Sequence, residues 1–178
     1  MLEHYALLAA YNADMNRKVY DAAAALPATE WLADRRAFFG SLCGTLNHLV
    51  AADTIWLTRF AAHPGAHAAL ASLRGQPVPT GLTHIYSDEV ATLYARRRQL
   101  DEMIVQLAGE LSEADLDVAL RYANTKGVVS NKRFASLLLH FFNHQTHHRG
   151  QASTLLAQAG ADIGVTDLLA WLPNQPEL

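Results

Sequence analysis

Cysteine is almost missing from this 178-residue chain: Cys43 stands alone, so no internal disulfide framework can hold the fold. Its place in the helical pattern marks it as a structural residue. Long apolar runs are missing too. Hydrophobic residues make up 51% of the chain, yet no run approaches the roughly 18–20 uninterrupted apolar residues of a membrane span. The first residues have no basic segment ahead of an apolar one and carry Glu3 and Asp14, so they make a poor secretory signal and the cytoplasm is the expected compartment. Charge of one sign is scarce. The 14 Lys and Arg against 17 Asp and Glu leave a net charge of −3, which gives no electrostatic reason to expect a nucleic-acid partner. The basic cluster Arg96-Arg97-Arg98 reads as a partly solvated helix face rather than a phosphate site. Internal repeats and low-complexity segments are absent as well. These absences leave a single domain over residues 1–178, long enough to bury a real core.

What is present is helical periodicity. Apolar residues recur at helix spacing over about 3–26, 38–62, 85–111 and from 131–133 to 160. Pro27 ends the first stretch, because proline cannot continue the hydrogen-bond ladder. Residues 28–37 form a connector with Trp31 tucked over one end. Between the second and third stretches, residues 63–83 carry Pro64, Gly65, Gly75, Pro77, Pro79 and Gly81, which exclude a continuous helix and allow a long crossover. Two β-prone runs, 118–122 and 128–130, flank Asn124-Thr125-Lys126-Gly127 and read as a small β-hairpin before the last helix. A short helical turn over 166–171 brings Leu168, Leu169 and Trp171 to cap the helices.

Histidine is the residue that is concentrated. The stretch 137–156, LLLHFFNHQTHHRGQASTLL, holds four of the nine in the chain. At about 100° per residue, Leu137, Leu138, Phe141, Ala152, Leu155 and Leu156 fall on one side. His144 and His148 sit at the edge of that side, four residues apart, a spacing that stacks two imidazoles one turn apart and lets them aim at one atom. Gln151 shares their face. His140 and His147 are rotated away and read as solvated or supporting groups. One helix supplies only two or three ligands, and the best candidate for another is His48, at the edge of the apolar side of 42–60. His63, His67 and His84 lie off ligand spacing. In the first helix Asn12 and Asn16 fall on the buried face; they either bond between helices or wall the pocket around a metal. Arg97 and Asp101, four apart within the core face of the third helix, are placed to pair. Leu139 and Phe142 point away from the core side of the last helix and are the expected contact of a homodimer.

Asn47-His48-Leu49 followed by Asp53 and Trp56, then the late His144, His148, Arg149, Gly150 and Gln151, resemble the DinB/YfiT-like family of metalloenzymes, and Tyr11-Asn12 and Asn16 near the start fit as well. The resemblance covers nearly the whole chain. It implies an all-α four-helix bundle, a hairpin insertion before the last helix, a homodimer, and one divalent metal per chain on His48, His144 and His148. It also brings in enzymes that use a low-molecular-weight thiol, among them S-transferases, and others proposed as hydrolases.

Three imidazoles suit Zn, Ni or Fe. A site with no anionic ligand keeps the charge of its metal and favours an anionic guest, hydroxide or thiolate. A hydrolase also needs a general base, and Gln145 stands where the glutamate of His-Glu-x-x-His would be. Asp53 lies about 140° round the helix from His48 and reads as an ion-pair partner. The expectation is a metal-dependent thiol S-transferase acting on a small electrophile in stress response or detoxification, with Arg149 placed either to bind a carboxylate of the thiol or to form an ion pair. A metal-dependent hydrolase and a non-catalytic metal-binding bundle are the alternatives.

Overall fold

The computed structural model describes residues 1–79 and 81–174. Four long helices carry the chain: α1 (Leu2–Ala24), α3 (Leu42–Phe60), α4 (Val90–Glu110) and α6 (Phe134–Gln158). Two short ones, α2 (Ala28–Leu32) and α5 (Glu113–Asp117), sit at their ends, and the antiparallel hairpin β1 (Ala119–Ala123) and β2 (Val129–Arg133) precedes α6. α1 packs on α4 and α6, and α3 packs on the same two, so the long helices close into a bundle. The connection from α3 to α4 is the crossover the breakers implied, stiffened by a 3₁₀ turn at Ala68–Leu73.

Local chemistry sets where each helix starts. Ser41 caps α3 by accepting the Gly44 amide at 3.0 Å, and Gly40, at φ +76°, turns the chain into that cap. The helix therefore begins at 42 rather than 38, and Phe38 is left on the surface. α4 begins at 90 rather than 85 because residues just before it are claimed by α3. The buried Asn47 accepts from the Tyr86 amide at 2.7 Å and donates to the Ser87 carbonyl at 2.8 Å. Trp31 is buried as expected, and its indole donates to the Asp88 carbonyl. The tail caps the helices as expected through Trp171 but not through Leu169. Trp171 meets Tyr11 edge-on at 6.2 Å, while Leu169 is exposed.

One expectation needs correction. Phe142 does not face outward: it is 6% exposed and stacks on Tyr5 of α1, while its neighbour Phe141 packs on Phe60 of α3. Because α6 touches α1 and α3 together, its buried arc is wide enough to take in both rings. Only Leu139 of that pair is exposed, at 63%. The arginine cluster is the partly solvated face expected, with Arg98 exposed and Arg97 fully buried.

Arg97 belongs to a polar network that reaches all four long helices. Its guanidinium binds Asp53 of α3 and lies 3.0 Å from Asp101 on its own helix. Asp101 accepts from Asn12 at 3.2 Å and Asn16 at 2.9 Å, both of α1. Gln145 of α6 donates to Asp53 and accepts from Arg149 at 3.3 Å, and Arg149 also donates to Asn12. Burial raises the carboxyl pKa of Asp53 and of Asp101, and Arg97 offsets part of each rise. Removing one member of such a set strands its partners away from water. Arg97→Met is therefore expected to lower the unfolding free energy in urea by about 3–5 kcal/mol, whereas Arg98→Met, on the exposed side of α4, changes it by no more than about 0.5 kcal/mol.

Candidate metal centre

The helix registers bring three imidazoles to one point. His48 Nε2 lies 3.3 Å from His144 Nε2 and 3.2 Å from His148 Nε2. Donors about 2.0–2.1 Å from a tetrahedral ion stand about 3.3 Å apart, so these spacings fit one divalent ion. The tautomers point the same way. His48 Nδ1 is 2.9 Å from the Leu82 carbonyl, which accepts its proton, and His148 Nδ1 is 2.7 Å from Gln151 Oε1, which accepts another. Both protons are then on the outer nitrogens, and the inner Nε2 atoms meet lone pair to lone pair. That contact is repulsive until a cation lies between them. Gln151 is itself oriented by its amide nitrogen, 3.4 Å from His147 Nε2.

Burial keeps all three rings neutral. Desolvation lowers the pKa of His48 to about 4 and that of His144 to about 3, with the neighbouring histidines adding to the latter, and it lowers His148 too. A metal ligand must be the neutral imidazole, so the cluster is ready to bind at neutral pH.

The ring of Phe39 stacks on His48 at 3.9 Å and meets His148 edge-on at 5.6 Å. It reaches them because Gly44 lets the Phe39 backbone rest on α3: a Cβ there would fall 2.1 Å from the Phe39 carbonyl oxygen. On the other side, Leu82, Asn124, Thr125, His140 and His144 border a groove of about 270 Å³. Trp56 and Arg59 of α3 line its floor, with the guanidinium 4.7 Å over the indole and 5.0 Å over Tyr122.

Of the residues the sequence singled out, His48, His144, His148 and Gln151 are together. Asn12, Asn16 and Arg149 are not on the wall of this site; they take the inter-helix role in the buried network, Arg149 pairing with Asn12 and Gln145. Asp53 is the ion-pair partner it was expected to be. Phe39, Arg59 and the Leu82 carbonyl were not anticipated. A main-chain acceptor in a loop carries no side-chain signal, but the i, i+4 pair Gln145 and Arg149, repeating the His144 and His148 spacing one residue on, did mark a second converging face.

The fold and the cluster define a class: a helical bundle with a three-histidine centre that could hold a metal. The profile of the DinB family matches residues 1–177, and the chain belongs to that family. It is similar to Protein DinB of Bacillus subtilis (strain 168), at 25% identity over 157 residues, 88% of this chain and 87% of that protein. No solved structure gives a significant match.

Two outcomes follow from the geometry. Gln151→Ala, which frees the His148 ring, is expected to weaken metal binding by about 10–100-fold in a competition titration against a chelator. In the metal-stripped chain, the depressed His48 and His144 pKa values mean that the unfolded state takes up protons first, from about 6.5 downward. Stability in urea should therefore fall as pH drops from 6.5 towards 4, and the fall should be smaller in His144→Ala/His148→Ala.

Proposed function

We propose that the chain is a metal-dependent thiol S-transferase acting on small electrophiles, in a stress or detoxification setting. The observation that carries this reading is the donor set: three neutral imidazoles, with no carboxylate or thiolate grouped with them among the described residues. Asp53 is fully buried against Arg97 and Gln145, and the Gln145 amide turns away from the triad into the same network. A divalent ion on such a set keeps its charge and ionises a thiol beside it at neutral pH.

The chain's own groups supply the rest. Arg59, on the groove floor beside His144, is placed to hold a carboxylate of the thiol by charge-assisted hydrogen bonds. His140 borders the same groove and burial lowers its pKa, so its neutral ring would take the thiol proton and pass it to solvent. The sulfur then bonds to the electrophilic carbon, and the bond from that carbon to its leaving group breaks with its electron pair. Trp56 and Leu82 give the groove apolar wall for the organic part of the electrophile.

His140 also supports the alternative of metal-assisted hydrolysis, in which it would serve as general base toward water. Thiol dependence separates the two. With an activated aryl halide as electrophile and cysteine as thiol, conversion is expected only when thiol and metal are both present, and is expected to vanish in His48→Ala. Arg59→Ala should raise KM for the thiol by roughly tenfold with kcat little changed, the loss of one charge-assisted contact. Turnover of esters or amides without thiol would transfer the site to the hydrolase reading.

A further inference from the structure

Just past the end of α3, the crossover begins with His63-Pro64-Gly65-Ala66-His67, a turn that brings both histidines inward. They are 3% and 7% exposed. Opposite them is Asp115 of α5. Its Oδ1 lies 3.8 Å from His63 Nδ1 and 3.9 Å from His67 Nε2, and the three ligand atoms all fall within 4.8 Å of one another. We propose that His63, His67 and Asp115 form a second metal site, suited to a borderline divalent ion such as zinc, which ties the crossover to the α5 turn.

Hydrogen bonding leaves part of this cluster unexplained. The separations to Asp115 Oδ1 exceed hydrogen-bond length, and His67 Nε2 is buried with no partner. The outer nitrogens, in contrast, face acceptors. His63 Nε2 is 3.3 Å from the Asp115 carbonyl, and His67 Nδ1 faces the Glu110 carboxylate at 3.9 Å. His63 thus has its outward nitrogen held by an oxygen, as in metal-bound histidine, and His67 has its inward nitrogen unpartnered and free to ligate. The Asp115 carboxylate is divided in the same way. Its Oδ2 is committed to the cap of α5, at 2.8 Å from the Ser112 amide and 2.6 Å from its hydroxyl, which leaves Oδ1 for the ion.

Two imidazoles and one carboxylate are a recognised donor set for zinc. Closing the donors to about 3.3 Å asks roughly 0.5 Å of the two contacts to Asp115 and up to about 1.5 Å of the pair of imidazoles, which lie within 4.8 Å. One competitor is present: the Gly65 amide donates to His63 Nδ1 at 2.9 Å and must yield that lone pair. The turn around it is exposed, so the amide can turn to water. Gly65 is also where the space is kept, since a Cβ there would lie 2.8 Å from Asp115 Oδ1 and 3.0 Å from His63 Nδ1.

Native mass spectrometry of the tag-free full chain, loaded with zinc and freed of excess, tests the site independently of the triad. His144→Ala/His148→Ala is expected to retain one zinc and to melt at a higher temperature with zinc than without. Adding His63→Gln/His67→Gln should abolish both. Should the triad variant not fold, Asp115→Asn in the otherwise unchanged chain must lower the zinc count by one, because asparagine keeps an oxygen for the cap. Zinc absent from the triad variant, or retained after the His63 and His67 changes, or a count unaltered by Asp115→Asn, would overturn the proposal.

Discussion

Imidazole nitrogens brought to one point crowd one another, and a folded chain holds three of them there only if other interactions fix the helices that carry them. In this protein His48 sits on α3, and His144 and His148 on α6. The distances of 3.2 and 3.3 Å between their inner nitrogens are short enough that the cluster is either a liability or a cation site. For His48 and His148 the outer nitrogens favour the second: their protons go to the Leu82 carbonyl and the Gln151 amide oxygen, which turns the bare nitrogens inward.

The restraint comes from the residues next door. Gln145 and Arg149 follow His144 and His148 by one residue each, and the helical rotation of about 100° turns them from the metal centre into the middle of the bundle. There they join Asp53, Arg97, Asp101, Asn12 and Asn16. Sliding α6 by one residue against α3 would strand Arg149 and Asp53 without partners at a cost of several kcal/mol, on the order of a whole domain's stability. The network therefore sets the register that aims the histidines. Asn47, beside His48, does the same for the crossover: by holding Tyr86 and Ser87 it brings the loop close enough for the Leu82 carbonyl to reach His48.

Much of this was legible in the sequence. The four long helices, the crossover and the hairpin follow from apolar period and turn residues, and the family pattern around His48, His144 and His148 names the cluster that the structure assembles. Phe142 was misread because a single apolar stripe was assumed where α6 packs on two neighbours. The place of Arg97 on a core face and its pairing with Asp101 are visible in the spacing, but Asp53, Gln145 and Arg149 join the network from elements distant in sequence. His63 and His67 were set aside because they fall in a turn, where helical spacing says nothing about which side chains meet. The Leu82 carbonyl left no trace at all, since any residue supplies one.

The claim on which the account rests is that the triad holds one ion and leaves a position for a thiolate. X-ray absorption at the metal edge, recorded on the Asp115→Asn chain so that only the triad is loaded, reads both parts. The account predicts imidazole nitrogens at about 2.0–2.1 Å, joined by one sulfur at about 2.3 Å when a small thiol is added. A first shell without the imidazole pattern, or one that thiol leaves unchanged, would contradict it.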